Sequence, residues 1–342
     1  MPSWLHKLLG LRPPPRPGPP ERRRAPRPAA ASSAPGAAEP GAFPAAPADP
    51  SHADAPHHLR HGPRPGEVDL MRRVQSRIEE GRFVLPELPS TSMALFDLAS
   101  RPSADLLEVA AKIEADPVLA SELLREANSA LVGARVPADT LQDAIARLGL
   151  RRLRSLILAL SVRGLVLGGK GLRQHAAEVW RQAYAVGSIA RVLAPHVGMD
   201  RERAFLLGLL HDVGKIPILH LLSGELGTLD DATVALVGRL YLRFHERVGE
   251  GMARTWKLPP EVVAVAGRHH DFRGNTEFPA GAALCSLAHK MDLFLSLGAE
   301  REYRALAQGE EMAVLGLADH RRPVALQSVL AAWRELTPRA AA

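Results

Sequence analysis

The sequence predicts an all-α protein, a multi-helix bundle behind a disordered Pro/Ala/Arg-rich N-terminal tail. Three observations predict it. Aromatic residues make up only 4% of the chain against 46% hydrophobic, so the core must be Leu, Ala and Val, and Leu and Ala lead the helix-propensity scale. No stretch alternates apolar and polar residues with period two for long enough to make a strand. Helix start signals, an Asp, Ser or Thr ahead of apolar residues at three- and four-residue spacing, recur along the chain.

Residues 1–66 form the tail. From Arg12 to Pro65 there are sixteen of the 29 prolines and almost no large apolar residue, too little surface to offset the entropy of ordering. Ahead of this, within residues 1–11, Trp4, Leu5, Leu8, Leu9 and Leu11 either make one short amphipathic docking helix or a frayed terminus. Residues 67–82 read as a lead-in helix on Val68, Met71, Val74 and Ile78. Pro86 and Pro89 then interrupt.

Ser103 is expected to cap a helix from Ala104 to Ala115, and Asp116-Pro117 to open one running to about Ala130. Asp139 or Thr140 opens a third, which Gly149 ends. A fourth, from Arg151 to about Leu165, is apolar nearly all round and so belongs at the centre. Arg151, Arg152 and Arg154 at its start are either an anion site or solvated and acid-paired residues. Helices follow over 174–196, 200–212, 230–256, 259–270 and 280–297, and residues 298–342 read as a C-terminal helical extension with a frayed end.

Composition excludes several functions. The single cysteine, Cys285, rules out an internal disulfide or a cysteine-based zinc cluster and fits a reducing compartment, so a cytoplasmic location is expected. The apolar stretch Leu156–Leu167 is broken by Arg163 and is short of the roughly 20 residues a span needs, and Met1–Leu11 lacks the features of a signal peptide. Nine of the 43 Lys/Arg and four of the 37 Asp/Glu lie in residues 1–66, so the tail carries nearly all of the net charge of +6. A nearly neutral core is a poor groove for phosphates, so nucleic acid is not expected there.

The chemistry-bearing residues are His211-Asp212 with Lys215 one turn on, then His245, His269 and His270. Imidazole and carboxylate together suit Mn, Fe or Zn, with ligands arriving from several helices. The bland alternative is a hydrogen-bonded polar plug that closes helix ends. On a helix, neighbouring residues diverge by about 100°, so at most one of His269 and His270 is expected beside His245.

Several stretches match a known pattern in order. They are Leu85-Pro86-Glu87-Leu88-Pro89; Ile113-Glu114-Ala115-Asp116-Pro117; Leu124-Arg125-Glu126-Ala127-Asn128-Ser129-Ala130; Ala144-Ile145-Ala146-Arg147-Leu148-Gly149; Gly208-Leu209-Leu210-His211-Asp212-Val213-Gly214-Lys215; His245-Glu246-Arg247-Val248-Gly249; Trp256-Lys257-Leu258-Pro259; and His269-His270. Over 83–297 the chain resembles the HDOD family, the HD-related output domain of bacterial signalling proteins and an offshoot of the HD phosphohydrolases.

The resemblance implies a non-catalytic regulatory module that binds a protein partner, with no cofactor. It also marks where this chain departs from its enzymatic relatives. Gln182 stands where they keep an early histidine ligand. The late aspartate falls near His289, with Asp292 three residues on. The cyclic-dinucleotide phosphodiesterase branch has histidines that His245, His269 and His270 match, yet its Gly-Tyr-Pro signature is replaced by Asp271-Phe272-Arg273. A degenerate site at Gln182, His211, Asp212, Lys215, His245, His269, His270, His289 and Asp292 is therefore expected. The alternatives are a metal-dependent phosphodiesterase, with His211 and Asp212 as first ligands, and a nucleotide sensor without turnover.

Overall fold

Among the described residues, helices account for the regular structure and no strand occurs. A computed structural model describes residues 65–341 except 84, 102, 130–131, 133–135, 169–171, 224–230, 298–305, 307–309 and 318–319, and gives no side-chain placement at 67 and below, 231–235 or 334–341. The expected tail, with its leading helix, lies outside the described residues up to residue 64.

The first helix, α1 (Pro65–Glu79), buries Leu70, Val74 and Ile78. Next comes α2 (Ser90–Ser100), which sequence reading passed over because Pro89 precedes it and no side chain caps it. The cap of α3 (Leu106–Glu114) is Asp105, which accepts from Leu107 N, and not Ser103. Asp116 caps α4 (Pro117–Ala127) through Val118 N and Leu119 N, with proline in the first turn as expected.

Thr140 caps α5 (Leu141–Leu167), which Gly149 interrupts at φ 76°, a left-handed conformation cheap only for glycine. These four helices bury one cluster that includes Leu98, Val109, Ile113, Leu123, Ile145 and Leu153. Asn128 locks it. Its side-chain amide donates to Ala138 O at 3.0 Å and accepts from Ala138 N at 2.6 Å, while Arg147 reaches Asn128 Oδ1 and Val136 O. Arg151 pairs with Asp200 and Arg152 with Glu126, so the arginines at 151 and 152 are paired to acids.

The second half is built around α6 (Arg173–Leu193), which packs against α7 (Arg201–Leu210), α11 (Pro279–Leu297) and α13 (Arg322–Ala341). Helices α6 and α7 touch backbone to backbone: a Cβ on Gly208 would lie 2.7 Å from Gly187 Cα. That contact brings Gln182 on α6 toward the turn that follows α7. Beyond this turn come α8 (Lys215–Ser223), α9 (Asp231–Thr255) and α10 (Pro260–Gly267). The helix α8 was hidden to sequence reading by Pro217 and by an apolar surface without a face. The segment Arg201–Ser223 is long and apolar enough to cross a membrane by composition, but 83% of its 18-residue apolar window is buried inside the fold. After α11, α12 (Glu310–Val314) is anchored by buried Glu311, which receives Ser286 Oγ and Lys290 Nζ. The final helix, α13, runs to Ala341, within the stretch expected to fray.

Candidate metal centre

The His-Asp doublet lies in the turn 211–214 between α7 and α8. His211 Nδ1 faces Gly208 O at 2.7 Å. A carbonyl only accepts, so Nδ1 carries the proton and Nε2 turns inward. Lys215 opens α8 and places Nζ 2.5 Å from Asp212 Oδ2. Gly214 lets the turn press onto α9, since a Cβ there would lie 1.9 Å from His245 O.

His245, in the middle of α9, also commits Nδ1 to a backbone carbonyl, that of Tyr241. The pair His269-His270 departs from expectation: α10 ends at Gly267, and Arg268 takes a non-helical conformation. Both histidines therefore lie in a turn, where the 100° helical divergence no longer applies, and both reach His245. His269 Nε2 lies 3.3 Å and His270 Nε2 3.1 Å from His245 Nε2. His269 Nδ1 faces Val265 O at 3.2 Å.

Two residues that sequence reading did not single out hold this turn. Glu246 accepts the backbone N–H groups of His269 at 2.8 Å and His270 at 3.0 Å. Asn275, buried, donates to Ala264 O and Arg268 O and accepts from Phe278 N. The signal available was that backbone donors next to a helix end need acceptors, and a carboxylate beside His245 supplies one.

The cleft divides into two unlike sides around Asp212. On one side Lys215 Nζ bridges Asp212 Oδ2 and, at 3.2 Å, Gln182 Oε1, and Gln182 Nε2 lies 3.0 Å from His289 Nε2. His211 Nε2 approaches Oδ2 at 3.1 Å. Here N–H donors satisfy Asp212 Oδ2, Gln182 Oε1 and the His289 ring, while His211 Nε2 is left without one. On the other side Asp212 Oδ1 faces His245 Nε2 at 3.4 Å and His269 Nε2 at 3.6 Å. With the Nδ1 protons of both rings committed, these are three acceptors in contact. Asp212 Oδ1 and His211 Nε2 are buried without a hydrogen-bond partner, which costs about 1–3 kcal/mol for each group unless something supplies positive charge.

Burial governs the charges. It holds His245 down to about 4 and His289 to about 3, and takes His269 well below its usual value. Burial alone would raise the Asp212 carboxyl, but His211 and then Lys215 pull it well below the usual range. The centre thus presents neutral imidazoles at 245, 269 and 289 to one carboxylate. Cys285 is buried, and burial drives its thiol pKa upward, so it supplies no nucleophile.

The structure brings together Gln182, His211, Asp212, Lys215, His245, His269, His270 and His289. Asp292 is the exception. It is fully buried, but Arg181 takes both its oxygens, at 3.0 and 3.1 Å, so it belongs to a separate ion pair. Among the described residues, two groups have ligand atoms close enough to hold an ion: His245, Glu246, His269 and His270, and His211, Asp212 and His289. The orphaned Asp212 Oδ1 and the neutral, inward Nε2 atoms fit a divalent transition metal, with backbone carbonyls orienting the rings from behind.

The helical bundle gathers histidines from the turn after α7, from α9, from the bend after α10 and from α11 around a His-Asp doublet. The family model described as the HDOD domain matches residues 85–272, more than half of the chain, and the chain belongs to that family. A Treponema pallidum protein is 27% identical over 217 residues, 59% of this chain and 40% of its own length. The 3'3'-cGAMP-specific phosphodiesterase 3 of Vibrio cholerae is 30% identical over 135 residues, 36% of this chain and 27% of that enzyme. The chain therefore spans less than half the length of these relatives. In fold it is similar to a candidate metal-dependent phosphohydrolase of Shewanella amazonensis, with TM-score 0.61 and 21% identity, covering 79% of this chain and all of that one.

Proposed function

We propose that this chain is a non-catalytic output module of bacterial signal transduction, acting in the cytoplasm by binding a regulatory protein partner through an HDOD domain over 83–297. One observation carries the reading. The Lys215 ammonium joins Asp212 Oδ2 to Gln182 Oε1, and Gln182 in turn meets His289. A metal-dependent hydrolase needs enough open ligands to hold an ion that generates hydroxide at neutral pH. On this side of the cleft Lys215 occupies Asp212 Oδ2 and Gln182 engages His289, and glutamine amide is a poor transition-metal ligand.

A second reading, a phosphodiesterase for a cyclic dinucleotide, is favoured by the acceptor-rich side of the cleft and by the Vibrio cholerae relative. When bound, a metal there would supply an activated water. His245, His269, His270 and Asp212 would hold it, and Lys215 would face a phosphate.

The test is turnover. Purified full-length chain, loaded in turn with Mn, Fe and Zn, is incubated with 3'3'-cGAMP, cyclic di-GMP and a generic phosphodiester. No hydrolysis above buffer is expected, and steady hydrolysis that Asp212→Asn removes would overturn the proposal. Affinity capture with the full chain is expected to recover one defined partner. Recovery of nothing specific counts against the module.

A further inference from the structure

We propose that a second cleft, between α4 and α5 of the first half of the fold and α6 of the second, is a binding site for a small aromatic monocarboxylate. None of its lining residues belongs to the histidine centre. The inference goes beyond the output reading, since it gives the module a chemical input, and it stands whether or not the histidine centre turns over a substrate.

The cleft holds about 350 Å3 of empty space, part of it open to solvent, at the low end of the roughly 300–1,000 Å3 of small-molecule sites. Its uncharged lining is apolar and aromatic: Leu156, Ala159 and Leu160 of α5 with Trp180 and Tyr184 of α6. The two aromatic rings meet tilted at 41°, with centroids 5.5 Å apart. A flat ring suits such a surface, because aromatic pairs gain more than the area they bury. Trp180 is 4% exposed, and its indole N–H, which can only donate, is buried without a hydrogen-bond partner. A buried donor left alone is costly, and a ligand that brings an acceptor removes that cost.

The other lining residues are Glu122, Arg125, Glu126 and Arg163, and their pairing calls for one more anion. Arg125 and Arg163 share Glu122, the second at 3.6 Å. Arg152 and Arg191 share Glu126, Arg191 at 4.0 Å, and Arg191 Nη2 also meets Glu202 at 2.7 Å. Four guanidiniums thus meet three carboxylates in these pairs. Arg191 Nε is buried without an acceptor as well. A single further carboxylate balances the set, and guanidinium takes carboxylate through two parallel N–H bonds. Arg125 has 48% of its side chain exposed, the most of the four charged lining residues, so it is the one able to turn from Glu122 to a ligand.

The experiment titrates the full-length chain, stripped with chelator, with phenylacetate and with benzoate in a calorimeter. One equivalent is expected, with a dissociation constant below about 1 mM. Acetate carries the anion without the ring and benzyl alcohol the ring without the anion, and both should bind at least about tenfold more weakly. Trp180→Phe keeps a ring and removes the N–H, and should weaken binding about fivefold, the effect of one ordinary hydrogen bond. Arg125→Gln, at an exposed position, should weaken it about tenfold or more, as expected of a bond to a charged group. Leu160→Trp, at a half-buried position, should abolish binding by filling the cleft. No binding of either carboxylate, equal binding of benzyl alcohol, unchanged affinity in Trp180→Phe or in Arg125→Gln, or binding that survives Leu160→Trp overturns the proposal. Circular dichroism of each variant shows that it folds, and if Trp180→Phe or Leu160→Trp does not, Arg125→Gln and the ligand series decide.

Discussion

His245 and His269 face one another through their Nε2 atoms at 3.3 Å, while each commits Nδ1 to a main-chain carbonyl one turn back, Tyr241 O for the first and Val265 O for the second. The backbone thereby chooses the tautomer of both rings. It aims two unprotonated nitrogens at the same point, beside a carboxylate oxygen that has no partner.

Glu246 is the clearest residue to probe, because one of its oxygens accepts both backbone N–H groups of the histidine turn. Glu246→Ala should free the N–H groups of His269 and His270 and let both rings drift. Loss of such an orienting group usually weakens metal affinity by about 10–100-fold. A Zn2+ competition titration measures this, and a change below threefold would separate the turn from the site.

Asp212→Ala removes the carboxylate that Lys215 and His211 both approach. Lys215 is largely buried, and a buried charge deprived of its partner costs about 3–5 kcal/mol. The variant should melt several degrees lower even without metal. An unchanged melting temperature would mean that the polar cluster contributes nothing to stability.

Asn128→Ala tests the other half of the fold. It breaks the two-way bond to Ala138 and the contact from Arg147. At about 1 kcal/mol for each of the three bonds, the expected loss is about 3 kcal/mol in urea unfolding, with metal binding unchanged. Loss of metal binding in this variant would show that the two halves are coupled.

The metal-free chain should lose stability on acidification. His245 is held at about 4 and His289 at about 3, both below their usual 6.5, so the unfolded chain binds more protons than the folded one once pH falls below about 6.5. Stability from these rings is complete above that pH and is lost as pH drops toward 4 and 3. The lowered Asp212 carboxyl acts in the same direction at still lower pH. Urea midpoints in chelator at pH 8, 6.5 and 5 should fall in that order, and a midpoint that rises toward pH 5 would contradict the buried neutral rings.

Much of the bundle was legible because its signals are local. Asp116-Pro117, Thr140 and Asp200 mark helix starts through bonds spanning two or three residues. What escaped was settled over long distances. The helix α2 has no side-chain cap, and Pro217 hid α8. The position of His270 depends on where α10 ends, which Asn275 and Glu246 fix from outside that helix. Asp292 looked like a site residue by its distance from His289, but Arg181, 111 residues earlier in the chain, takes its carboxylate. The departure at Gln182 was visible in the sequence. Its tie to Lys215 was not, since it needs the close approach of Gly187 and Gly208.

The indole of Trp256 donates its N–H to Pro86 O at 2.8 Å, across 170 residues of chain. That bond joins the lead-in to the first helices with the segment just before α10. Closing a loop of that length costs about 4–5 kcal/mol of chain entropy, more than the roughly 1 kcal/mol that one hydrogen bond returns, so the bond depends on the packing around it. A fragment cut anywhere between those two positions would therefore carry one half of a clasp with nothing to fasten to.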